Sequence, residues 1–332
     1  MKRVLAVGLG AALLTFVAPR VTLAHDGTAA KSGAIGEALQ SWSFDVPGIL
    51  VVVVVAGLYG WGYRRLRRDS PRFHFPAWHA WSFAAGMLLL LLSLISPIDT
   101  YSDDLFWVHM VQHVVLIMVI APLLLLGAPA TLALRSASPR VRATYLVPLL
   151  NSRLASFLTY PAVSLVLFVA SIWIWHIPTL YDSAIRSEAL HFFEHFSFLG
   201  GATLFWWLIV GVDASRLRPS YIGRIAVLVV AIIQNIALAL IITNNGDVLY
   251  DSYAERAALR DWGPSALLDQ QIGGGVMWVP GAMMLGIAVI VTVYYWAENE
   301  GFKGRQGDLV RDLEKRADAS APDRTTQGLG RG

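Results

Sequence analysis

Residues 105–129 read LFWVHMVQHVVLIMVIAPLLLLGAP. The stretch 105–126 carries no charged side chain, and as a helix it extends about 33 Å, enough to cross a hydrocarbon core of about 30 Å. Its polar residues, His109, Gln112 and His113, all fall in the first turns. Residues four apart share one face of a helix, so His109 and His113 point the same way. The segment therefore reads as a membrane span with two imidazoles near one end.

Six further apolar stretches surround it, near 47–63, 77–96, 157–176, 189–210, 224–243 and 273–296. Of the 332 residues, 56% are hydrophobic and 15% charged, against about 25% charged in a soluble domain. The fold class is an all-α, polytopic membrane bundle of seven transmembrane helices, residues 47–297. Before it lie a signal-like segment, residues 1–24, with Lys2, Arg3, an apolar run and Thr22-Leu23-Ala24, and a polar stretch 25–46. The polar tail, 298–332, is expected to be mostly disordered with a short helix near 308–317.

Connections after the first, third and fifth spans, with the tail, hold nineteen Lys and Arg, against four on the opposite side. By the positive-inside rule the tail faces the cytoplasm and the stretch after the signal faces out. Basic residues this dispersed make no nucleic-acid surface. With no cysteine, disulfides and thiolate metal sites are excluded. The outer connection 244–271 is longer than usual, which makes it a candidate lid or docking element, with simple exposure the expected reading.

On this topology, five of the eight histidines collect at one depth. His109 and His191 lie about 3 to 6 Å inside the outer boundary, and His113 and His195 about 9 to 12 Å. His176 closes the fourth span on the same side, whereas His74 and His79 lie at the other end as interfacial anchors. His191 and His195 repeat the four-residue spacing of His109 and His113, so two helices offer four nitrogens. Imidazoles set into a bilayer need partners and mark functional sites.

Copper is the metal that suits clustered imidazole without thiolate in an oxidising compartment; zinc and haem rank behind it. Met110 and Met277 offer thioether sulfur to such a site, Glu194 and Gln112 stand beside the histidines, and Asp269 belongs to a ring of outer aspartates with Asp99, Asp103, Asp104 and Asp182. Those aspartates are expected to be mainly solvated loop charges.

Residues 191–195, HFFEH, also match the H-x-x-E-H signature of a metalloprotease class, in which glutamate is the general base. Gln112 stands where the other helix would need an acid, so Glu194 reads better as a neighbour that orients an imidazole or balances a cation. A haem or di-metal oxidoreductase is a further alternative. Haem ligation needs one histidine per helix rather than a doubled pair.

Four stretches, LFWVHMVQHVVLIMVIAPLLLLGAP at 105–129, WHIPTLYDSAI at 175–185, LHFFEHFSFLGGATLFWW at 190–207 and DQQIGGGVMW at 269–278, resemble in order and spacing the CtaG family of cytochrome c oxidase assembly factors, associated with bacterial caa-type oxidases. The resemblance runs over residues 45 to 297. It implies a non-enzymatic protein of the bacterial cytoplasmic membrane that works with cytochrome c oxidase subunits. It further implies that His109, His113, His176, His191 and His195 hold or supply copper at the outer face.

Overall fold

The computed structural model describes residues 41–42, 46–70, 72–213 and 218–320. The expected signal segment, His25 and most of the stretch before the first span lie outside the described residues. Among the described residues every regular element is helical. They are α1 (Val46–Asp69), α2 (Ala77–Ile95), α3 (Pro97–Ser102), α4 (Phe106–Val115), α5 (Ala121–Leu126), α6 (Pro129–Ser136), α7 (Pro139–Val141), α8 (Val147–Leu150), α9 (Arg153–Leu158), α10 (Pro161–Trp175), α11 (Pro178–Arg186), α12 (Glu188–Val210), α13 (Tyr221–Asn244), α14 (Asp251–Ala258) and α15 (Ala266–Ser320). Single π turns join α4 to α5 (Leu116–Ile120) and α7 to α8 (Arg142–Leu146).

Six helical stretches are long and apolar enough to cross a bilayer: α1, α2, Phe106–Ser136, α12, α13 and Ala266–Phe302. The fourth expected span departs from a regular crossing. Pro161 starts α10 afresh, leaving 15 residues, or about 22 Å. The chain then bends by 77° into α11. The cause is local, because Ile177, extended at ψ 123°, precedes Pro178, and a residue before proline avoids the helical region. Among the described residues the count is six candidate spans, or seven if this broken pair makes one.

The tail also differs from expectation, since α15 runs on to Ser320. No proline follows Pro280 until Pro322, and the intervening Leu, Glu, Arg and Ala are good helix formers.

The π turn inside the 105–126 span has a specific compensation. In that pattern Ile117 carbonyl would accept from residue 122, which is a proline with no N–H. Trp206 Nε1 donates to it instead, at 2.8 Å. This contact ties α12 to the span below the histidines, next to the stacked Phe168 and Phe205 rings 4.4 Å apart.

On the other side α15 approaches α4 closely. A Cβ on Gly273 would lie 2.2 Å from the Phe106 ring, so only glycine fits. Asn235 donates its side-chain amide to Met277 carbonyl at 3.0 Å and joins α13 to α15, the interhelical bond its place in the span predicts.

Candidate metal centre

The helix carrying the first histidine pair is fixed at its N-terminal end by a residue far away in sequence. Both oxygens of Asp269 accept backbone N–H bonds from Phe106 and Trp107, each 3.0 Å. Those are orphan donors of the first turn of α4, and an anion there also meets the positive end of the helix dipole. Arg260 lies 3.5 Å from the same carboxylate. Asp269 is completely buried, so it is a helix anchor rather than a solvated loop charge.

With α4 so placed, four imidazoles meet. One ring nitrogen from each of His109, His113, His191 and His195 lies within 4.8 Å of the others. Ring centroids are 5.1 Å apart for His109 and His191, 5.1 Å for His113 and His195, and 4.4 Å for His191 and His195. His109 and His113 are buried, whereas His191 and His195 are partly exposed.

The Nε2 atoms of His109 and His113 are 2.9 Å apart. His109 Nδ1 lies 3.0 Å from the hydroxyl of Tyr253, which is also 2.7 Å from the carbonyl of Ser102. A carbonyl only accepts, so the single hydroxyl proton goes to Ser102 and His109 Nδ1–H donates to the phenol oxygen. Burial pushes the hydroxyls of Tyr253 and Tyr250 up from their ordinary value, which keeps both protonated. His109 Nε2 is left with its lone pair facing the cluster, as ligation needs.

Glu194 is fully buried, neither carboxylate oxygen has a hydrogen-bond partner, and Oε1 lies 3.9 Å from His113 Nε2. His113 Nδ1 is also buried without a hydrogen-bond partner. Unpaired buried acceptors are costly, and each asks for a cation or proton. The donor set and these orphaned atoms fit an imidazole-bound metal ion. Nitrogens on one ion at about 2.1 Å are at most about 4.2 Å apart, so a bound ion would require the outlying rings to move in by some tenths of an ångström.

The other expected site residues lie elsewhere. His176 is not one of the four. Its Nδ1–H donates to Ile172 carbonyl at 2.7 Å, and its buried Nε2 has no hydrogen-bond partner. Its ring packs 6.0 Å from Tyr181 and 6.4 Å from Phe198, whose rings also meet His109 and His113, so it borders the four without joining them. Gln112 turns toward α2 and α3, donating to Ser93 carbonyl at 2.6 Å and to Asp99 at 3.2 Å. Met110 and Met277 are buried in the apolar core. Asp104 sits 3.4 Å from Arg256, and Asp182 accepts the Ser252 backbone N–H at 2.9 Å, so these charges hold outer elements together.

The expected open loop is a roof. Tyr250 and Tyr253, at the start of α14, are buried. The Phe106 ring stacks on Tyr250 at 5.0 Å and meets Tyr253 edge-on at 5.5 Å, while Tyr181 packs 5.5 Å from His109. Sequence reasoning does not single these tyrosines out. The signal it offers is two tyrosines three apart in an otherwise polar stretch, which gives a short helix one aromatic face.

Residues 57–299 match the family described as cytochrome c oxidase caa3 assembly factor. The chain is 32% identical over 277 residues to an uncharacterized protein of Mycobacterium bovis, covering 80% of this chain and 41% of that protein. A second uncharacterized protein, from Mycobacterium leprae, is 30% identical over 270 residues, 78% of this chain and 40% of the relative. The chain thus spans about two-fifths of the length of these relatives. No solved structure matches.

Proposed function

Because the chain belongs to the family of cytochrome c oxidase caa3 assembly factors, we propose that it serves oxidase assembly by holding copper on His109, His113, His191 and His195 and passing it to an oxidase subunit. The observation that carries this reading is the convergence of four ring nitrogens from two helices within 4.8 Å. Four imidazoles without thiolate favour copper, with zinc second. The carboxylate of Glu194 balances the charge of a bound cation in a low-dielectric site.

Copper is cargo in this account. Tyr253 sets the tautomer of His109, Asp269 fixes the helix that carries it, and the partly exposed pair on α12 completes the coordination. The nineteen-to-four charge asymmetry of the connections supports an orientation with the histidines at the extracytoplasmic face.

The protease reading is disfavoured by the same geometry. A general base must reach a water on the metal and a substrate, whereas Glu194 is enclosed beneath the tyrosine roof. Edge-to-face packing of His109 on His113 at 4.2 Å gives a porphyrin no plane between them.

The test is metal analysis of purified protein, with oxidase activity in cells, for the paired variants His109→Ala/His113→Ala and His191→Ala/His195→Ala. The expected result is loss of bound copper and of oxidase activity in both. Copper content and activity unchanged in both pairs would refute the proposal.

A further inference from the structure

The segment between α6 and α10 lies at the end of the bundle opposite the histidines and is exposed on nearly every side. Tyr145 is 66% exposed, Leu149 65%, Leu154 65% and Phe157 60%, in an elbow whose α7, π turn and α8 run on as one short rod and whose α9 follows a break at Asn151 and Ser152. These helices carry their own caps. Ser138 Oγ accepts from the Val141 N–H at 3.3 Å and Ser152 Oγ accepts from the Ala155 N–H at 3.0 Å.

A self-capped element with this much apolar surface needs an apolar medium or partner. Its charge identifies which. From Leu105 to Tyr181 the chain has no acidic residue, and the elbow and its approach carry Arg135, Arg140, Arg142 and Arg153. The same end of the bundle holds the last turns of α1, where Leu66 packs in one apolar cluster with Ala128 and Leu132. There Trp61, Arg64, Arg65 and Arg68 share one face of the helix. Asp69 neutralises part of that group, being 3.3 Å from Arg65 and 2.8 Å from Arg68, and the surplus stays positive.

We infer that residues 139–158 form a monotopic elbow that lies in the bilayer interface and binds anionic lipid headgroups, with Leu149, Leu154 and Phe157 in the acyl boundary and the arginines at phosphate level. Apolar residues flanked by arginine at one level are the pattern of an interfacial element, and juxtamembrane basic residues draw anionic lipid. The inference is independent of the metal site.

The chain has no cysteine, so Leu154→Cys can be labelled alone with an environment-sensitive fluorophore in the full-length protein. The labelled protein is placed in nanodiscs of phosphatidylcholine with or without phosphatidylglycerol, some carrying spin-labelled lipid as quencher. The expected result is a blue-shifted label, quenched several-fold more in the anionic discs, with the excess lost in high salt and in Arg140→Gln/Arg142→Gln/Arg153→Gln. A second label at Tyr145→Cys should behave alike. A label that remains in water in both lipids overturns the proposal. So does shielding that tracks protein concentration, the mark of a second copy, or that appears only when oxidase is added.

Discussion

The two histidine pairs have the same spacing on two helices but different settings. On α4, His109 and His113 are buried, the helix start is held by Asp269, and one ring is fixed through Tyr253. On α12, His191 and His195 are partly exposed and sit in the first two turns after the turn at Ser187, beside the exposed Glu188 and Leu190. One half of the cluster is buried and anchored and the other is partly exposed. For a site proposed to take up and surrender copper, a rigid buried half gives affinity and a partly exposed half gives a way in and out.

Removing the anchor of the rigid half should have the largest effect. Asp269→Ala leaves two backbone donors of α4 and the nearly buried Arg260 without their acceptor, which costs about 3 kcal/mol. The expected outcome is a lower Tm in detergent together with loss of copper. An unchanged Tm would show that α4 does not depend on this contact and would erase the contrast between the halves.

Next in size is Tyr253→Phe, which keeps the ring and removes the hydroxyl that orients His109. Loss of such an orienting bond lowers metal affinity about 10- to 100-fold, and competition with a copper chelator would measure it. Equal affinity in the variant would mean that His109 is fixed by packing alone.

The smallest effect concerns pH. Burial raises the hydroxyls of Tyr250 and Tyr253, so above about 10, where unfolded tyrosines ionise, the unfolded chain binds fewer protons than the folded one. Stability is then present below that pH and falls as pH rises through it. Thermal melts from pH 8 to 11 should show this alkaline loss. Tyr250→Phe/Tyr253→Phe should flatten it, and an identical slope in that variant would remove the tyrosines from the explanation.

Much of this centre is legible in the amino-acid sequence. Spacing of four residues puts His109 with His113 and His191 with His195 on single helical faces, and an even number of crossings between them puts both pairs at one depth. Periodicity says nothing of what a connection packs against, so it reveals neither the roof of Tyr250 and Tyr253 nor the anchoring by Asp269. Each depends on contacts between residues more than a hundred positions apart. Depth alone groups His176 with the cluster, whereas its ring packs against Tyr181 and Phe198 at the border of the four. The elbow at 139–158 escapes a sequence reading for a related reason: Pro139, Pro148 and Pro161 cut it into pieces too short for a periodic signal.

X-ray absorption at the copper edge on copper-loaded, purified protein tests the coordination most directly. The account predicts imidazole scattering from three or four ligands on each copper, reduced by one in the single variant His195→Ala. Copper coordinated by oxygen alone, or a spectrum indifferent to either histidine pair, would contradict it.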